Sequence, residues 1–186
     1  MVSESEIVNL RMLIGKASRA VFFGGAGVST ESGIPDFRSQ DGLYRQKYKY
    51  PPEQILSHDF FVGHTAEFYD FYRDKMLCLD AQPNAAHLRL AEWEKEGHLA
   101  AVVTQNIDGL HQKAGSKNVL ELHGSIWRNR CMQCGMPFPV QRIRKGEGVP
   151  RCPCGGIVKP DVVLYGEPLD EQVMDKAVEY IRRADV

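Results

Sequence analysis

Apolar and polar positions along the chain change period repeatedly, from helix-like spacing to short strand-like runs and back. Ile7, Leu10 and Ile14 share one helical face with Leu13 beside them, which predicts an amphipathic helix over 5–17. Residues 20–23 predict a first strand, which breaks at Gly24-Gly25. Segments near 53–61 and 65–78 predict helices, and Phe68, Tyr69, Phe71 and Tyr72 in the second form a core-facing aromatic set. Pro83 suits the first turn of a helix running to Glu96, with Gly97 placed to end it. His98 to Thr104 contains an unbroken apolar run, the mark of a parallel strand covered on both faces. Val119–Leu122 and Val162–Tyr165 predict two more short strands, and a helix starting at Pro168 carries Val173, Ala177 and Ile181.

Strand alternating with helix predicts an α/β fold: a mostly parallel sheet with helices on both faces. The ligand crevice of such a sheet lies beyond the carboxyl ends of its strands. Three polar clusters fall at those ends. The first follows Phe23, where Gly25, Ala26 and Gly27 lead through Ser29 and Thr30 to Gly33-Ile34-Pro35-Asp36-Phe37-Arg38. Glycines let a backbone approach a ligand, and N–H groups at a helix start favour a pyrophosphate. The spacing departs from G-x-G-x-x-G, since Gly33 arrives late. Asp36, Phe37 and Arg38 set a carboxylate, an aromatic face and a guanidinium side by side, and the polar stretch 39–44 after them reads as a binding loop. The second cluster is Thr104-Gln105-Asn106-Ile107-Asp108, with amides for sugar hydroxyls and a carboxylate able to polarise water. The third is His123-Gly124, whose imidazole suits a general base near neutrality. His58, His64, His87, His98 and His111 share no such strand-end address and are read as structural.

At 186 residues the chain suits one ordinary domain with a small inserted module. A net charge of −1 gives no general reason for direct nucleic-acid or membrane binding. No run approaches the roughly 18 apolar residues of a bilayer span, and the first six residues lack the basic and apolar regions of a secretory signal. The default expectation is a cytoplasmic protein. In a reducing compartment, paired cysteines point to metal before disulfides. Cys131-x-x-Cys134 and Cys152-x-Cys154 offer four thiolates to one tetrahedral ion, most naturally a zinc, in a closed structural site. Cys78, in an apolar helical setting, is read as buried filler. G-x-S-x-G is absent.

Taken together these pieces resemble the sirtuin family of NAD-dependent protein deacylases. The resemblance rests on Gly25-Ala26-Gly27-Val28-Ser29 with Gly33–Arg38, on Thr104–His111, on Leu122-His123-Gly124, on the cysteine quartet, and on Val162–Glu167. It implies a Rossmann-like domain with a small zinc module, and NAD consumed as a co-substrate. The divisions it implies are 1–45, 79–124 and 160–186 for the NAD-binding domain, 46–78 for the helical part of a small domain, and 125–159 for the zinc module. The acyl-lysine carbonyl oxygen attacks the ribose carbon bearing nicotinamide, nicotinamide leaves, and a histidine base then lets the acyl group move onto the sugar.

By position the resemblance implies that His123 is that base, with Asn106 and Asp108 the other catalytic positions, and it implies the further roles that follow. Phe37 shields the nicotinamide-ribose face. Ile107 and Asp108 hold the carboxamide, and Gln105 and Asn106 address the ribose and an ordered water. Ala26, Thr30 and Arg38 line the phosphate region. Val163 and Tyr165 border the acyl-lysine channel, the acylated peptide adding as a strand between the domains.

Relatives that prefer acidic acyl chains carry a Tyr and an Arg three residues apart on the helix near 65–78. Here Tyr69 is followed by Tyr72, with Arg73 one position late, so acetyl or another neutral acyl group is expected. The family pattern continues past Asp185-Val186 into another strand and a turn for the adenosine end of NAD, so the sheet is expected to be incomplete at its C-terminus, with NAD binding by these 186 residues weak or absent and their activity open. Two rival readings are an NAD-dependent zinc-containing oxidoreductase and a non-catalytic zinc-ribbon interaction module. The first requires an acidic residue about 20 positions past the glycine turn, at a second strand's end. The second draws on the basic cast of Arg128, Arg130, Arg142, Arg144, Lys145 and Arg151.

Overall fold

The computed structural model describes residues 3–37, 42 and 48–186. Helix α1 (Glu4–Lys16) begins at a reciprocal cap in which Ser3 Oγ accepts from Glu6 N–H while the Glu6 carboxylate accepts from Ser3 N–H. Strand β1 (Ala20–Gly24) and a 3₁₀ segment (Ala26–Ser32) follow. Three short helices, α2 (Pro52–Ile55), α3 (His58–Gly63) and α4 (Thr65–Phe71), lead into a π turn over Tyr72–Met76. Next come α5 (Ala85–Lys95), β2 (Leu99–Thr104), α6 (Leu110–Ala114), β3 (Val119–Glu121) and β4 (Gly124–Cys131). The chain closes with β5 (Pro137–Pro139), α7 (Gln141–Arg144), β6 (Val158–Val162) and α8 (Glu171–Arg182).

Among the described residues β1, β2 and β3 form a parallel sheet with β2 in the centre. Its two faces are covered as the unbroken apolar run of β2 requires. Leu90 and Trp93 of α5 pack on Ala20, Leu99 and Val102, while Val173, Met174 and Ala177 of α8 pack on Val103, Leu120 and Leu122. Beyond β1, Val21 N–H donates to Val186 O at 2.9 Å and Asp185 N–H to Arg19 O at 3.1 Å, so the last residues run beside the strand's other edge. A second sheet, antiparallel in the order β5-β4-β6, carries the cysteines. The aromatic set Phe68, Tyr69, Phe71 and Tyr72 is buried as expected, in one core with Phe60, Phe61, Ile126, Ile143, Val162 and Leu164.

Several expectations are corrected. Val162–Tyr165 is not a strand. The strand lies earlier, at Val158–Val162, and belongs to the antiparallel sheet, because β4 offers its edge to those residues and the chain turns away after Val162. Helices α5 and α8 start at Asn84 and Asp170, whose side chains cap the first N–H groups, rather than at the prolines before them. Helix α1 forms where predicted but buries no residue, and Leu10 and Leu13 remain more than half exposed. Strand β4 and helix α6 are additional elements. Arg38 and most of the stretch 39–44 lie outside the described residues.

Candidate functional site

A cavity of about 670 Å³ opens at the carboxyl ends of β1, β2 and β3. Its walls come from all three predicted clusters: Ala26, Asp36 and Phe37 after β1, Gln105, Asn106, Ile107 and Asp108 after β2, and His123 after β3. Val163 and Tyr165 close the side toward the small module. At Gly25 an added Cβ would stand 3.1 Å from Gln105 Oε1, so the missing side chain lets the first cluster lie directly against the second. Gly25 and Gly27 shape this turn without lining the cavity. Thr30 lies outside it too, its hydroxyl donating back to Gly27 O at 2.9 Å.

A buried hydrogen-bond chain fixes the floor. Ser29, only 1 % exposed, donates through Oγ to Asp108 Oδ2 at 2.7 Å and accepts from Asn106 Nδ2 at 2.9 Å. The other oxygen, Asp108 Oδ1, accepts from Leu110 N–H at 2.9 Å, and Trp127 Nε1–H donates to Asp108 O at 2.8 Å. Asn106 N–H donates to Thr104 Oγ1 at 3.0 Å. With both carboxylate oxygens bonded, the buried Asp108 side chain is held in one orientation. Ser29 has no predicted role in the sequence. Its importance depends on partners 79 and 77 positions away.

His123 is set by its own strand end. Its Nδ1 lies 3.0 Å from Gln105 O, and a carbonyl only accepts, so Nδ1 carries the proton and Nε2 keeps a lone pair in the neutral ring. Gly124 follows at φ 76, and a Cβ there would stand 1.9 Å from Asp161 O. Only glycine lets β4 leave His123 and meet β6 so closely.

Behind the floor, the rings of His87 and His111 are buried 4.7 Å apart. Burial pushes the His111 imidazole down to about 4, the neighbouring His87 adds to this, and Asp108 only partly offsets it. His87 is lowered by burial as well, again against Asp108. Cys78 differs from its expectation. It is half-buried and lines the cavity, with its thiol pushed up by burial and by Asp108.

The four sulfurs of Cys131, Cys134, Cys152 and Cys154 lie within 4.8 Å of one another. Cys131 and Cys154 are 3.5 Å apart, and Cys134 and Cys152 are 3.6 Å apart. A tetrahedron of thiolates about 2.3 Å from zinc has edges near 3.8 Å, so the quartet fits that ion. The N–H groups of Cys134 and Gln133 beside Cys131 Sγ draw that thiol down to about 6, against the effect of burial. With four protein donors the site is closed, and it stands apart from the cavity, whose lining includes none of the four.

A profile of the Sir2 family matches residues 25–186. A protein of Clostridium acetobutylicum named NAD-dependent protein deacetylase is 57 % identical over 189 residues, which is 100 % of this chain and 77 % of that protein. Among solved structures, one described as the structural basis for the mechanism and regulation of Sir2 enzymes is 44 % identical with a TM-score of 0.88, covering 99 % of this chain and 74 % of its own. Another, of Sir2 with p53 peptide and NAD+, is 37 % identical with a TM-score of 0.83, covering 98 % and 73 %.

Proposed function

The chain belongs to the Sir2 family, and on that premise we propose that it is an NAD-dependent protein deacetylase whose general base is His123. The observation that carries this reading is the meeting of the three strand-end clusters, His123 included, around one cavity. NAD supplies the electrophilic ribose carbon and the leaving nicotinamide, and the acylated lysine of a protein or peptide is the second substrate.

The roles assigned to the residues follow from their chemistry. His123 Nε2 takes a proton from a ribose hydroxyl, while the bond from Nδ1–H to Gln105 O holds the ring and favours the tautomer that can accept it. Asp108, oriented by Ser29 and Leu110 N–H, holds with Ile107 the carboxamide of nicotinamide. Asn106 and Gln105 address the ribose and a water. Phe37 covers the reacting face, which keeps bulk water from a cationic sugar and strengthens the fixed dipoles around it. Ala26, with Gly25 and Gly27, allows close backbone approach to the phosphates; the family resemblance adds Thr30 and Arg38 to that region, and Asp36 to the cofactor site. Val163 and Tyr165 border the acyl-lysine channel. One zinc held by the four cysteines is structural.

A neutral acyl group fits the surroundings. Tyr69 Oη donates to Val158 O, and Arg73 donates to Ile143 O at 2.9 Å and to Gly148 O, so both are committed to the small module. The proposed division gives 46–78 as the helical part of the small domain and 125–159 as the zinc module; Phe68 and Tyr72 share a core with Ile126 and Ile143 in its support. We place the protein in the cytoplasm, since four reduced thiols suit that compartment. Among the described residues no helix is long and apolar enough to cross a membrane.

The oxidoreductase reading finds no support among the relatives, which carry the deacetylase name. Among the described residues no strand intervenes between β1 and β2 to bring an acidic residue to the ribose. The interaction-module reading loses part of its basic face, since Arg128 is paired with Glu121 and Asp161, and Arg144 lies 3.6 Å from Asp80. The test is nicotinamide release from NAD with an acetylated peptide, in protein carrying these 186 residues, with and without His123→Ala. A loss of at least about 100-fold is expected, the usual scale of a general base. Unchanged release would remove His123 from the mechanism.

A further inference from the structure

The wall of the cavity that carries Val163 and Tyr165 has no regular secondary structure of its own, yet it is tied at every step. Val163 N–H donates to His123 O at 3.0 Å. Tyr165 N–H donates to Leu56 O at 2.9 Å, and Tyr165 O accepts from His58 N–H at 2.9 Å, so the wall is pinned to the junction of α2 and α3. The chain then turns at Leu164–Glu167, closed by Glu167 N–H donating to Leu164 O at 2.9 Å.

One side chain gathers these ties. Glu167 Oε2 accepts from Leu164 N–H at 2.9 Å and from Lys159 Nζ at 2.9 Å, and Oε1 lies 3.0 Å from His58 Nδ1. Lys159 Nζ also donates to Val162 O at 2.9 Å, the residue before the wall. Glu167 and Lys159 are each only 18 % exposed, where a charge-assisted bond is not lost to solvent. Burial alone would raise the Glu167 carboxyl, but the bonds from Leu164, His58 and Lys159 outweigh it and hold the group below its ordinary range. The carboxylate therefore joins β6, the turn and α3 at one point, in the lining of the same cavity as the two residues that border the acyl-lysine channel.

We propose that Glu167 is the positioning residue of the acyl-lysine wall, acting through Lys159, His58 and Leu164 to hold Val163 and Tyr165 in the conformation that receives the acylated side chain. This rests on the deacetylase reading and deepens it. A carboxylate that only stabilised the fold would, when removed, lower the fraction of folded protein and leave the affinity of what remains unchanged. A positioning carboxylate changes the affinity for one substrate and not the other.

The experiment measures binding of a fluorescein-labelled acetyl-lysine peptide by anisotropy, and KM for that peptide and for NAD by nicotinamide release. The protein is compared with its Glu167→Gln, Glu167→Ala and Lys159→Met variants. Glu167→Gln retains an acceptor for Leu164 N–H and so keeps the test open should Glu167→Ala not fold. The expected result is peptide affinity weakened by about tenfold in Glu167→Gln, as for the loss of a buried charge-assisted contact. The KM for NAD stays within about twofold, and Glu167→Gln/Lys159→Met is no weaker than the worse single variant, as two members of one contact require. Unchanged peptide affinity in every folded variant, or equal loss for peptide and NAD, overturns the assignment. A parent protein that binds no acetylated peptide overturns both the assignment and the reading beneath it.

Discussion

Acid should destabilise the protein in a window set by His111, well before its carboxylates titrate. The ring is buried beside His87, and neither of its nitrogens has a hydrogen-bond partner among the described residues. Its imidazole is held at about 4 in the folded chain against 6.5 when exposed. The unfolded state therefore binds more protons between those values, so stability is complete above 6.5 and falls as the pH drops toward 4. Between pH 7 and pH 5 this one group removes about 2 kcal/mol, and about 3 kcal/mol once the pH lies below 4. His87 is lowered too and acts in the same direction. Glu167, lowered from 4.5, adds its loss only below that value, so it is nearly silent at pH 5.

The assay is urea unfolding of the zinc-loaded protein at pH 7 and pH 5, with His111→Leu as the comparison. Leucine has nearly the volume of histidine and needs no polar partner. Any release of zinc at the lower pH is common to both proteins and cancels in the difference. The parent should lose about 2 kcal/mol more than the variant between the two conditions. Parallel losses would refute the reasoning and show that His111 is solvated or bonded in solution.

Ser29→Ala leaves Asp108 and Asn106 each short of a buried partner, which should cost about 1–3 kcal/mol in thermal or urea unfolding and weaken NAD binding by calorimetry. Gly124→Ala forces a Cβ to within 1.9 Å of Asp161 O at positive φ, so a loss of at least about 2 kcal/mol should appear, with a displaced His123 ring signal in NMR spectra. Metal analysis should find one zinc per chain, and Cys134→Ser should lose it together with the protection of β4 and β5 in hydrogen exchange.

The site was legible wherever chemistry and strand ends coincide in sequence. Gln105–Asp108 follow a continuous apolar run that can hardly be anything but a buried strand, and Cys131–Cys154 declare themselves by spacing. What escaped depends on partners distant in the chain. Ser29 is an ordinary small residue in a glycine-rich turn until β2 brings Asp108 and Asn106 to it. Glu167 belonged to a recognised stretch, but its contacts with Lys159 and His58 exist only once β6 and α3 converge. Strand β4 alternates too weakly to be read, because Arg128 and Arg130 sit where pairing with β5 and β6 decides the structure. The apolar run Val162–Leu164 invited the opposite error. Val162 and Leu164 are buried for packing and half-buried Val163 lines the cavity; none of them pairs in the parallel sheet.

That NAD is consumed rather than recycled is tested most directly by the products formed with an acetylated peptide, resolved by mass spectrometry. Equal amounts of nicotinamide, deacetylated peptide and acetyl-ADP-ribose are predicted. Reduced cofactor absorbing in the near ultraviolet, or free acetate released without nicotinamide, would contradict it.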